Sequence, residues 1–411
     1  MTDFIKKYSA LCLLLFTFCI MIMPHSGHGG DLWCWTKWAE YIFQNGLGQI
    51  YNSNSDYLPL YHYILYLYSL SQVSIEEIGR NIYYLKFITL LFHFVTGYFL
   101  ALMIKKDRDS WDKVLINVLF YLLNIAILYN TVIWGQVDAI LTCFVFGSIY
   151  FAYKKRILLS LIFMVLAINF KLQAIIFLPI VGLMLLPLII SCFSIKKLVK
   201  WILVLLILQL LIISPFIVEG TVGSLWAVVT GSVGKYPVVS MNAYNIWDFM
   251  LSGNLMQILD SNTFLGISYK SWGLFMFFTT SGIALLPLAK LGYLSIVNRT
   301  ELNVPLDKIL IVCTIIPLLF FYFNTQMHER YTHPAFIFLI AYSLCKKKPL
   351  IAIVGCLAYF LNLEDVLRFM KLDNYGTLIF NRDFISSLYL ITIIWLYSDL
   401  FNFKLNKGNK S

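Results

Sequence analysis

Asp31 stands beside three tryptophans, Trp33, Trp35 and Trp38, in the stretch 29–41 that directly follows the first apolar segment. Indole rings prefer the membrane–water boundary, where the ring body is shielded and the N–H stays wet. The stretch therefore reads as a loop on a bilayer surface, holding a carboxylate at headgroup depth. A carboxylate there can take a proton from a sugar hydroxyl while a lipid-linked substrate lies alongside. The alternative is a solvated acid near a helix start, stabilised by the positive end of the helix dipole.

Three further polar clusters could share that chemistry. Trp134, Gly135, Gln136, Val137 and Asp138 place an amide and an acid at the opening of an apolar helix. Lys171 and Gln173 put a cation between two apolar runs. Gln326, Met327, His328, Glu329, Arg330 and Tyr331 precede His333 and Pro334, just outside another helix. Each also has a purely structural explanation. Asp138 could complement a helix dipole, Lys171 could be a snorkelling anchor, and His328–Arg330 could be an ordinary polar loop. Together the clusters read as two complementary halves, one acidic and one cationic. Such halves suit the attack of a hydroxyl on a sugar joined to a lipid phosphate. Asp31 would be the base, while Arg330, Lys171 and His328 would meet the charge that grows on the departing phosphate. Arg330 suits this best, because its planar fork can hold two phosphate oxygens.

The elements that must position these residues are membrane helices. The chain has 411 residues, 60% hydrophobic, 17% aromatic and only 13% charged, too apolar for a soluble protein. The net charge of +10 comes from short basic clusters between apolar runs, not from the stripe that nucleic acid needs, so no nucleic-acid partner is expected. Judged by the length needed to span a bilayer, there are about twelve apolar runs: 4–23, 81–104, 114–129, 139–153, 157–170, 172–192, 201–218, 272–288, 309–323, 334–345, 350–363 and 384–403. The pair around Lys171 reads as broken or re-entrant helices. Placing the N-terminus inside and alternating sides makes every inner loop basic: Lys6 and Lys7; Lys105 to Lys113; Lys154 to Arg156; Lys196 to Lys200; Lys290 to Lys308; Lys346 to Lys348; and Lys404, Lys407 and Lys410. Both termini are then cytoplasmic. The first outer loop is 24–80 and the second large one 219–270, and the polar clusters share the outer face. The segment 57–70 is apolar but short, and reads as an interfacial helix. One transmembrane domain over 1–411 is expected, with no repeat. Eight cysteines show no metal-ligand spacing, so neither a disulfide framework nor a metal site is expected.

The order of motifs resembles a known family. Asp31 is followed by Tyr57, Pro59, Leu60 and Tyr61; by Trp134, Gly135, Gln136 and Asp138; by Lys171 and Gln173; by Asn242, Ala243, Asn245 and Trp247; and by His328, Glu329, Arg330, Tyr331 and Pro334. Spread over about residues 25–345, this series resembles the polytopic glycosyltransferases of the C fold (GT-C), and most closely bacterial relatives of the second mannosyltransferase of GPI-anchor synthesis. Leu58 and Leu172 stand where many relatives carry proline. The resemblance implies an all-α, GT-C-like fold and an inverting transfer on the non-cytoplasmic face of a bacterial inner membrane. The donor would be a polyprenyl-phosphate hexose, mannose favoured, and the acceptor a lipid-linked or cell-envelope glycan, with no metal or other cofactor. It also implies that Trp134, Gln136, Asp138, Gln173, Asn242, Asn245, Trp247, Glu329 and Tyr331 bind substrate. The competing class is a polytopic flippase, transporter or glycan polymerase, whose intramembrane charges mark substrate paths. The chain shows neither an inverted repeat nor a matched pair of Gly/Pro-broken helices to favour it.

Overall fold

The computed structural model of the chain describes residues 2–232 and 234–402. Lys404, Lys407 and Lys410, and the end of the last apolar run at Phe403, lie outside the described residues, as do both chain termini. The residues group into two compact units, with the boundary along the chain between Tyr236 and Pro237, inside the stretch 219–270.

The first unit has helices and no strand among its described residues: α1 (Thr2–Ile22), α2 (Gly29–Asn45), α3 (Pro59–Leu70), α4 (Ile75–Asn81), α5 (Leu85–Ile104), α6 (Trp111–Leu122), α7 (Ile125–Leu128), α8 (Asp138–Tyr153), α9 (Ile157–Phe170), α10 (Leu178–Ser191), α11 (Ile195–Val218) and α12 (Val222–Gly231). Local chemistry sets several of the starts. Ser74, Ser110 and Asn124 each accept a hydrogen bond from the amide three residues on, satisfying a donor that has no partner within the helix. Pro59 occupies the first turn of α3, where its missing N–H costs nothing. Helices α8 and α9 approach closely because Gly147 leaves room for the Phe163 ring. Across the same seam Ser148 and Ser160 each donate a hydroxyl to the other's carbonyl at 2.9 Å. Small residues and hydroxyl bonds of this kind are the usual means of holding apolar helices together.

The second unit comprises α13 (Ile246–Met250), α14 (Tyr269–Val297), α15 (Leu306–Phe323), α16 (His333–Lys346), α17 (Pro349–Leu367) and α18 (Arg382–Leu400). Four two-residue strands accompany them: β1 (Ser240–Met241), β2 (Thr263–Phe264), β3 (Ile267–Ser268) and β4 (Met327–His328). β1 runs parallel to β4, with Ser240 opposite Met327 and Met241 opposite His328, while β2 and β3 form an antiparallel pair. α15 and α16 are buried along most of their length and form the core of this unit.

Among the described residues, eight helices are long and apolar enough to cross a membrane, or nine if one bent pair is a single span. This is an all-α polytopic membrane protein. Each of the twelve expected runs falls mostly on helix over its described residues, but not every helix is long enough to span. Run 114–129 falls on the bent pair, which turns by 52° between Leu122 and Ile125. Runs 139–153, 157–170 and 334–345 fall on α8, α9 and α16, of 16, 14 and 14 residues. Polar groups at their ends, Asp138 and Lys171 among them, stop these helices short of a full span. The break expected near Lys171 lies at Lys171 itself, which is extended (φ −154°) between α9 and a short turn leading into α10. On α11 only 11% of the spanning window is buried within the protein. Its exposed row of Leu203, Leu206 and Leu210 suits lipid and not water.

The stretch 29–41 is a correction. It is not a surface loop but most of α2. Trp35, Trp38, Ala39 and Ile42 are buried at helical spacing, while only Trp33 of the three indoles is exposed. The period of 3.6, not the boundary preference of indole, decided the conformation.

Candidate functional site

In the first unit Asp31 lies in the opening turn of α2, with His28 as the residue before the helix. The segment ahead of it is pressed onto the turn 132–135. The His28 amide donates to the Trp134 carbonyl at 2.9 Å, and a Cβ on Gly27 would stand 2.5 Å from that same oxygen. Only glycine fits so near a backbone carbonyl. On the other side, residues 129–134 form one wide helical turn that closes at Gly135 with φ +87°, a conformation natural to glycine. The Gln136 amide then returns to the Asn130 carbonyl at 3.0 Å.

These two segments bring the first two predicted clusters to one point. Trp134 Nε1 donates to Asp31 Oδ2 at 3.0 Å, and Gln136 Nε2 donates to the same oxygen at 2.6 Å. His28 Nδ1 lies 2.9 Å from Asp31 Oδ2 and within 3.4 Å of the Asp31 amide, and its ring stacks on Trp134 at 4.9 Å. The side chain of Asp31 is 15% exposed, so it is not the freely solvated acid of the simple dipole explanation. It does sit where the dipole favours a negative charge.

The next two predicted residues also meet. Lys171 Nζ lies 2.7 Å from Asp138 Oδ1, with side chains 15% and 1% exposed. Asn130 Nδ2 donates to Asp138 Oδ2 at 3.3 Å. Gln173 is half-buried in the turn after Lys171. The expected division into an acidic half and a cationic half is therefore not what the structure has. A cation pairs with an acid here, and another does so in the second unit. Pairing lowers the energy of charges held in poorly solvated positions, which segregation would raise.

In the second unit the turn between α15 and α16 carries His328, Glu329, Arg330 and Tyr331. Arg330 Nη1 lies 2.7 Å from Glu329 Oε1, and His328 Nδ1 is 4.0 Å from Glu329 Oε2. The ring of Tyr331 lies 5.0 Å from that of His328. Asn242, in a left-handed conformation (φ +64°), bridges to His328, and its carbonyl accepts from Asn362 Nδ2 at 2.9 Å. Asn245 caps α13 and donates to the Phe321 carbonyl at 3.0 Å, and Trp247 Nε1 donates to the Phe323 carbonyl at 3.0 Å. Both are fully buried and turn their N–H donors onto the end of α15, so they act on the cluster by fixing the backbone beside it. Burial pushes the Asp248 carboxyl up to about 6, against the pull of its hydrogen bond from the Asn245 amide and of nearby Arg382.

Three residues with no predicted role shape these clusters. Asp260, buried, accepts from Thr325 Oγ1 at 3.1 Å and Gln326 Nε2 at 2.6 Å, tying the stretch 219–270 to the turn that bears His328. Asn130 serves both Gln136 and Asp138. Lys86 is the third, 1% exposed, with Nζ donating to the carbonyls of Pro24, Ser26 and Val132 at 2.9, 2.7 and 2.8 Å. One amine thus clips the segment before Asp31 to the turn before Trp134. Its signal was present in the sequence, since it is a lysine inside a long apolar stretch, where ionisable groups have a specific reason to be. Lys86→Met keeps the length of the side chain and removes all three bonds. It is expected to cost about 1–3 kcal/mol, the penalty for leaving the buried Val132 carbonyl unpaired, read as a lower denaturation midpoint in detergent and faster proteolysis at 24–28. An unchanged midpoint would show that the carbonyls do not depend on the amine.

No family model and no curated protein matches the chain.

Proposed function

We propose that this chain is a membrane glycosyltransferase of the GT-C kind. It moves a hexose, mannose favoured, from a polyprenyl-phosphate donor to a lipid-linked or cell-envelope glycan, with inversion, on the non-cytoplasmic face of a bacterial inner membrane. The observation that carries the reading is the placement of Asp31. Trp134 and Gln136, from a single motif more than a hundred positions further along the chain, both donate to one of its oxygens. These two donors, with His28 Nδ1 2.9 Å from the same oxygen, fix the direction of the carboxylate, which suits a general base.

In this reaction the acceptor hydroxyl gives its proton to Asp31 as its oxygen bonds to the anomeric carbon. The bond from that carbon to the phosphate oxygen breaks, and its electron pair leaves on polyprenyl phosphate. Arg330, His328 and Lys171 are the candidates for receiving the added negative charge, which is larger in the product-like state than in the ground state. Because Lys171 and Arg330 each have an acidic neighbour, phosphate would compete with Asp138 or Glu329 for them.

Purified protein incubated with mannosyl-labelled polyprenyl phosphate and acceptor-containing membrane extract tests the proposal. The expected result is free polyprenyl phosphate together with label in a glycan. Labelled donor that crosses vesicle membranes with its linkage intact would instead assign the chain to the flippases.

A further inference from the structure

Tyr61 closes the Tyr-x-Pro-Leu-Tyr motif, to which the reaction above gives no task. It lies on α3 with its side chain fully buried, and its hydroxyl has no hydrogen-bond partner among the described residues. Its ring meets Trp35 edge-on at 5.6 Å, and Trp35 lies one turn beyond Asp31 on α2. The same ring meets Phe170 edge-on at 6.1 Å, and Phe170 immediately precedes Lys171. Tyr57 lies against it at 5.0 Å. Tyr61 therefore stands between the element that carries Asp31 and the element that carries Lys171, in an aromatic surround.

Burial, and after it the nearness of Tyr57 and the Asp31 carboxylate, pushes the phenol of Tyr61 well above its ordinary value. The group stays an O–H, able to donate. A buried hydroxyl without a partner is costly in a folded protein, and most such groups are satisfied. Phenylalanine would fill the same space without that cost. Binding sites commonly pair an apolar wall with a few placed polar groups, and a hexose suits one: its C–H face lies on aromatic rings and its hydroxyls reach the polar groups.

We propose that Tyr61 donates its hydroxyl to the oxygen of the acceptor hydroxyl whose proton Asp31 accepts, so that the two residues form a subsite for one hexose hydroxyl. The inference rests on Asp31 being the base of the proposed transfer. A hydroxyl can satisfy both residues at once, because it offers one hydrogen to a carboxylate and lone pairs to a donor. Tyr61 orients the attacking oxygen in this arrangement, and no proton passes to it.

The test compares full-length wild type with Tyr61→Phe in a detergent that has no sugar head. Octyl α-D-mannopyranoside serves as the acceptor probe, with its binding followed by tryptophan fluorescence and its transfer from mannosyl-labelled polyprenyl phosphate. The variant is expected to melt at or above the wild-type temperature, because it loses a buried group that has no protein partner. Its Kd and KM for the mannoside are expected to rise about three- to ten-fold, the worth of one neutral hydrogen bond, with the donor KM unchanged. A lower melting temperature with unchanged mannoside affinity would make Tyr61 structural and overturn the proposal. So would a wild type that does not bind the mannoside. Tyr61-dependent binding without transfer would leave the subsite standing and remove the transferase reading. Transfer with identical mannoside constants in both proteins would leave the transferase reading standing and remove the subsite.

Discussion

Asp31→Asn is expected to lower glycosyl transfer about 100- to 10,000-fold, the usual loss when a general base is removed. The structure indicates why the fold should survive. The oxygen that accepts from Trp134 Nε1 and Gln136 Nε2 can be replaced by the asparagine carbonyl, which accepts both bonds. The amide nitrogen must then occupy the other position, where it offers hydrogens and cannot take one. Shape, capping geometry and the two incoming bonds remain, and basicity goes. If the acid served only the helix dipole, the change would cost about 0.3–1 kcal/mol of stability and leave turnover nearly intact. The discriminating measurements are the melting temperature, donor binding and transfer rate of the purified variant. Normal melting and normal transfer together would remove Asp31 from the chemistry.

The second large effect is expected at the pair Lys171–Asp138, and it should be lopsided. Lys171→Met leaves the carboxylate of Asp138, 1% exposed, without its cation. A buried charge robbed of its partner typically costs about 3–5 kcal/mol. Asp138→Asn leaves the amine of Lys171, whose side chain is 15% exposed and long enough to reach toward water, so its loss should be clearly smaller. The double variant should recover much of the stability lost by Lys171→Met alone, because both charges are then gone. Denaturation in mixed detergent micelles measures all three. Equal losses from the two single changes, with no recovery in the double, would show that the 2.7 Å contact contributes little.

The polar groups of the site were legible in the sequence, and their partnerships were not. Asp31, Trp134, Gln136, Asp138 and Lys171 stand out because they flank long apolar runs. Asp31 joins Gln136 across 105 positions and Lys171 joins Asp138 across 33, and no local pattern encodes such pairings. They depend on the close approach at Gly27, the turn at Gly135 and the clip made by Lys86. The grouping of charges was misleading for the same reason, since sign and predicted side do not reveal which acid a lysine will meet. Helix α2 was legible in principle, because Trp35, Trp38, Ala39 and Ile42 carry the helical period. The preference of indole for an interface gave a competing signal that described Trp33 alone. Apolar runs alone did not give helix length, as α8, α9 and α16 are apolar without being long.

The clip at Lys86 also imposes an order on biogenesis. Pro24 and Ser26 are synthesised before the lysine, but Val132 follows it by 46 residues. As α5 first enters the bilayer, its amine has two of its three carbonyl acceptors at hand and the third is not yet made. The nascent helix must keep that end near water until the turn at Val132 arrives, and only then can the lysine be enclosed. Maturation of this half of the protein is thus coupled to completion of α6, α7 and the turn at Val132, and a pause in translation before that turn would leave the amine exposed.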